Sequence, residues 1–404
     1  MSHLASSAAR PKRLGARIAR GGRSCALPAM LLAALVLGGS GETAAADKAI
    51  VVRAARLVTP DGELQDGGLV VIRDGKIAQV GETAPADAVI HEYDDAAICP
   101  GLIDVAAALG AFGNLSENQS ALQPAAAARD ALDRFAPQLD AALRSGVTAF
   151  ALSPDDQNLV GGRIAICRSG GAGVGGLIAP DGPMKLSLSP DVFKSDREPT
   201  SRTGALLMLR SAIESARSGK AAAGDALAQL AAGKIPAIVS APSGADALAA
   251  SEMVEDYGLK LTIMHTRDAL DVAGEVARRK VGVIVGPLTW NSSRRETAAA
   301  AAYEKAGVPV AIAGGAPLFS ADSVRLGAAL AARGGLSAAA ARRAITSNAA
   351  AVLGMSERLG AVKPGLEADI VLFSGDPIDL RSRVLAVYVG GRRVYLAPAD
   401  ADEQ

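Results

Sequence analysis

From residue 98 to residue 333, short apolar runs alternate with alanine-rich stretches of helical period. No other feature limits the fold as strongly. The apolar runs lie at 98–105, 146–152, 163–167, 183–188, 235–240, 259–265, 281–286 and 308–313. Most are apolar at nearly every position, which suits strands covered on both faces. Helical stretches at 124–145, 202–217, 245–257, 268–279, 294–306 and 320–333 fall between most of them. Parallel neighbours need a long crossover, usually a helix. Eight strands so spaced predict an α/β chain with a parallel (β/α)8 TIM barrel. Strand count alone leaves an open doubly wound sheet as the alternative.

The two ends of this region read differently. Residues 49–58 and 68–80 are β-rich, and Asp74-Gly75 within the second is a strong hairpin signal. A similar pair, 368–376 and 384–395, closes the chain. Neither end has enough residues for a core of its own, so together they predict one small composite β-sandwich module. The expected organisation is a signal peptide at 1–46, the first part of the module at 47–98, the barrel at 99–356 and the second part at 357–398. Half the residues are hydrophobic but only 3% are aromatic, so the core must be built from Ala, Val, Leu and Ile.

Residues 1–46 carry Arg10, Lys12, Arg13, Arg17, Arg20 and Arg23, then the apolar run Cys25–Leu37, then small residues ending at Ala46. Basic region, short apolar core and small-residue end are the order of a secretory signal. The expectation is export to the periplasm, with an uncleaved anchor as the alternative. Losing six basic and one acidic residue leaves 36 basic and 41 acidic, a net of −5. Nothing in that balance suits nucleic acid. Cys99 and Cys167 then remain, without metal-like spacing, and are expected to be free buried thiols.

Three stretches share a further likeness. AICPGLIDVAAALG at 97–110 and LGAVKPGLEADIVLFSGDP at 359–377 resemble the two ends of an amidohydrolase-superfamily enzyme. GLSAAAARRAITSNAAAVLGM at 335–355 resembles the helical run before that family's closing motif. SGVTAFALSPDDQNLVGGRIAICR at 145–168 and MKLSLSPDVFK at 184–194 look most like the imidazolonepropionase-related branch. The resemblance implies the barrel and the composite module. It also implies one or two divalent metals at the barrel mouth, held by His-x-His after strand one, Lys or Glu at strand four, a histidine each at strands five and six, and Asp at strand eight. Such a centre lowers the pKa of bound water, and the aspartate moves the proton.

Against that pattern this chain has Ala106 and Ala108 at the His-x-His positions, Ser240 at strand five and Gly315 at strand eight. Lys185 lies near the strand-four position, and only His265 keeps its place. The other two histidines, His3 and His91, fall in the signal and the module. No metal and no other cofactor is expected. His265 and Trp290, the only tryptophan, are the candidate substrate-binding residues, each with a bland reading as a satisfied or core-capping side chain. Asp104 reads as a backbone-orienting residue. GAGVGG at 171–176 fits a dinucleotide fingerprint by spacing, but Pro180, Gly182 and Pro183 forbid the helix that should follow. Ser240 and His265 lack a Gly-x-Ser-x-Gly elbow.

The reading that results is a metal-free relative of C–N bond hydrolases. It would bind a small molecule, or support an active amidohydrolase relative or a second copy of itself as a non-catalytic subunit. An active hydrolase with an atypical site and a purely structural protein are the alternatives.

Overall fold

The computed structural model describes residues 48–398 apart from 82, 172 and 220–224. The signal assignment at 1–46 lies outside the described residues. The fold is mixed α/β. Its first four strands are β1 (Ile50–Val58), β2 (Leu64–Arg73), β3 (Lys76–Val80) and β4 (Val89–Pro100). Next come β5 (Leu102–Ala107), β6 (Val147–Leu152), β7 (Val160–Arg163), β8 (Ala165–Arg168), β9 (Gly176–Ala179) and β10 (Met184–Ser187). After these follow β11 (Ala237–Ser240), β12 (Leu261–Met264), β13 (Gly282–Val285), β14 (Val310–Ile312), β15 (Ile370–Phe373), β16 (Val384–Val389) and β17 (Arg392–Leu396).

Both ends of the chain enter one seven-stranded sheet, ordered β17-β16-β15-β4-β1-β2-β3. The joint is the antiparallel pairing of β15 with β4, where Val371 faces Cys99. The expected hairpin forms at Asp74-Gly75, both with positive φ (49° and 75°), so that Arg73 pairs with Lys76. Alternate residues serve two cores. Ile98, Ile370, Leu372 and Tyr388 pack together on one face. Cys99, Val371, Phe373 and Val387 join the main core on the other. The terminal sheet is thus fused to the rest, and the described residues form one compact unit. Both thiols are free and buried, and burial raises the Cys167 pKa to about 12.

Strands β10 to β14 pair in parallel in chain order, as do β5 and β6. The expected third parallel strand at 163–167 is corrected. It is two short strands, β7 and β8, antiparallel to β10 and to β6 respectively. Only residues 153–159 separate β6 from β7, fewer than the dozen or so that a parallel crossover requires. The chain therefore turns straight back. The helix expected at 124–145 is also shorter, Pro137–Arg144, because Pro137 holds Ala136 in an extended conformation and starts the helix itself. Those at 202–217, 245–257, 268–279 and 320–333 appear within three residues of their expected bounds.

Inward residues from several strands meet in one cluster: Ile103, Ala149, Ile166, Ile238, Ile284 and Ala311. The opposite faces, including Phe150, Leu186, Val239 and Val283, pack in the main core. Between β14 and β5 the link is made by Asp104, whose Oδ1 accepts from Gly314 N (2.9 Å) and Ala106 N (3.1 Å). Ala108 N also donates to Ala316 O (2.7 Å). The backbone-orienting reading of Asp104 agrees with these bonds.

Gly101 explains the Pro-Gly pair at the head of β5. A Cβ there would sit 2.0 Å from Oγ1 of the buried Thr148. Gly101→Ala should cost about 2 kcal/mol, in the usual range of overpacking, measured by urea unfolding. A loss within error of zero would mean that Thr148 can move away. Among the described residues, no helix is long and apolar enough to cross a membrane.

Candidate functional site

The parallel strands place Ala106, Lys185, Ser240, His265 and Gly315 around two adjoining cavities at their C-terminal ends. One, of about 350 Å³, is lined by Ala106, Ala108, Asp156, Lys185 and Gly315 among others. The second, of about 310 Å³, includes Asp156, Ser240, His265, Thr266 and Leu288. Asp156 and Met264 belong to both.

Lys185 is buried, with its side chain 3% exposed, and donates from Nζ to Ser240 Oγ at 2.6 Å. It also pairs with Asp156 Oδ1 at 2.7 Å. Burial pushes the Asp156 carboxyl up, but the Lys185 charge and polar neighbours outweigh it, leaving the pKa below the usual carboxylate range. A buried ammonium demands such a partner. Sequence reasoning missed Asp156. The available signal was the Asp155-Asp156 pair just beyond β6, at the same strand ends as Lys185.

His265 is buried, and its Nδ1–H donates to Ala241 O at 2.5 Å. That bond selects the tautomer with a lone pair on Nε2, which is buried and has no hydrogen-bond partner among the described residues. Burial holds the imidazole pKa below its ordinary value. Tyr303 stands edge-on to it, with ring centroids 6.5 Å apart.

Trp290 lies on the turn after β13. It is 67% exposed and absent from the lining of both cavities. Thr289 N donates to Ser292 Oγ (3.0 Å), closing a turn that holds Trp290 at its solvent corner. Leu288 faces the cavity instead. The glycine-rich segment runs into strand β9, not a helix, and Ala172 within it lies outside the described residues.

The donors present do not fit a catalytic metal. Ala106, Ala108 and Gly315 offer none, Ser240 is engaged by Lys185, and Lys185 is itself a paired cation. Asp246 is held by Arg202 Nε (2.7 Å), and Asp268 accepts from Gly244 N (2.9 Å). Among the described residues no three His, Cys, Asp or Glu side chains converge. A zinc site needs about three protein ligands.

Residues 318–395 match the model of the amidohydrolase family. The chain is 23% identical over 400 residues to the amidohydrolase tasK of Hapsidospora irregularis, covering 82% of this chain and 40% of that protein. It therefore spans less than half the length of that relative. An amidohydrolase structure from Thermotoga maritima MSB8 superposes with a TM-score of 0.78 at 24% identity, over 86% of this chain and 100% of that one. An adenosine deaminase from Xanthomonas campestris with bound Zn gives 0.51 at 17% identity, over 87% and 94%. The family model thus matches 78 of the 404 residues, and the solved structures show that the chain shares their fold.

Proposed function

We propose that this protein is a catalytically degenerate, amidohydrolase-fold binder of a small polar molecule, with the mouth of a (β/α)8 barrel as its site. The carrying observation is the Lys185–Asp156 ion pair with Ser240 attached, Lys185 and Ser240 standing at or near positions where the resemblance calls for metal ligands. Fold and site chemistry are separable: apolar strands build the scaffold, and side chains at the strand ends are added to it. The composite module of 47–98 and 357–398, export to the periplasm, kinship with the imidazolonepropionase-related branch and a role beside an active relative or second copy belong to the same reading.

An active, metal-free hydrolase is the second reading, and the short Lys185–Ser240 contact favours it. To make Ser240 a nucleophile, Lys185 must be neutral and accept its proton. In this arrangement Lys185 Nζ is paired with Asp156 and donates to the Ser240 hydroxyl, the geometry of a donor and not of a base.

The purified protein should hold well below one equivalent of Zn, Mn or Ni by elemental analysis. It should also lack metal-stimulated hydrolysis of amides and cyclic amides. Stoichiometric metal with chelator-sensitive turnover would overturn the proposal. Ala106→His with Ala108→His would add two imidazoles to His265, so weak metal binding should appear. Hydrolysis should stay poor without a strand-eight aspartate.

A further inference from the structure

A third cavity, of about 430 Å³, is lined by four arginines, Arg129, Arg134, Arg168 and Arg358, and by the backbone of Gly175 and Gly176. It shares no lining residue with the two mouth cavities. On β8, Ala165 pairs with Leu152 at the mouth end and Arg168 with Ala149 towards the other. Three residues of strand span about 10 Å.

Three of the four guanidinium groups have carboxylate partners. Arg168 pairs with Glu367 and with Asp369 (2.9 Å), Arg358 pairs with Glu367 (2.6 Å), and Arg129 pairs with Asp181 and Asp130. Arg134 has none among the described residues. Its Nη2 reaches only the carbonyl of Gly175, at 3.3 Å. Arg168 Nε is buried without a partner. Gly176 leaves room for the exposed Arg134, since a Cβ there would meet Nη2 at 3.3 Å. Arg134 adds an unpaired positive charge beside the hollow, and a buried donor without an acceptor, Arg168 Nε, is destabilising. One anion in the hollow would offset both penalties. The planar fork of arginine suits the paired oxygens of phosphate and carboxylate groups.

We propose that this cavity binds a small phosphate- or carboxylate-bearing anion, at a site separate from the mouth, with Arg134 as its uncompensated cation. The test is calorimetric titration of the purified chain with inorganic phosphate, pyrophosphate and citrate, at ionic strength held constant with sodium chloride. At least one should bind saturably, and the preference between phosphates and citrate identifies the chemistry. Arg134→Gln should weaken binding by about tenfold or more, with the melting temperature in the absence of anion unchanged. Arg278→Gln, at an exposed pair with Glu275, should leave binding as it was. Absence of saturable binding for all three anions, or equal binding by Arg134→Gln, would overturn the proposal. This outcome is independent of metal content and of whatever occupies the mouth.

Discussion

Asp156→Asn should lower the free energy of unfolding by about 3 kcal/mol, the low end of the cost of breaking a buried ion pair. The low end applies because the Asp156 side chain is 35% exposed, so water screens part of the loss, whereas Lys185 is 3% exposed. Asparagine would leave the buried ammonium with a hydroxyl and an amide in place of a carboxylate. Adding Lys185→Met to Asp156→Asn should recover most of the loss, because the unpaired charge is then gone and the methionine stem fills similar space. Urea midpoints for the two single variants and the double variant measure this directly. A single-variant loss below about 1 kcal/mol would show that solvent reaches Lys185 freely. The Asp156 carboxyl is held low in the folded state, so the pair's contribution is present above the unfolded carboxylate pKa. It fades as pH falls through the lower folded value.

Asp104 should act in the opposite sense. Burial is the dominant influence and raises its pKa to about 6 against an ordinary 3.8, although hydrogen bonds from Gly314, Ala106, Ala316 and Gly315 work the other way. The folded protein therefore holds this proton more tightly than the unfolded chain. Its stabilising contribution is full below the unfolded pKa and is lost as pH rises from about 4 through about 6. The total is about 2–3 kcal/mol. The pH dependence of unfolding for the parent protein, less that for Asp104→Asn, should show this decline. Identical slopes in that window would mean that the four backbone donors keep the carboxylate ionised at all these pH values.

Much of the architecture was legible because it rests on local signals. Strand–helix alternation marked the parallel strands β10 to β14, and Asp74-Gly75 marked its hairpin through backbone conformation alone. Alanine at 106 and 108 and glycine at 315 carry no side-chain donor in any fold. The third strand was misread even though the cause was in view. The ten residues 153–162 between the two expected runs are too few for a parallel crossover, and the apolar content of 163–167 says nothing about direction.

Tertiary structure alone decided which charges meet. Lys185 and Ser240 are 55 residues apart in the chain, and Arg168 and Glu367 are 199 apart. Asp156 was one acid among many until β6 and β10 brought it to the lysine. Trp290 turned outward because a short turn set its direction, and no periodicity encodes that. Composition and spacing determine which segments become strands or helices, since those states depend on neighbours in the chain. A binding site depends on desolvation and Coulombic contact between distant segments, and only folding of the whole chain brings these within a few ångströms.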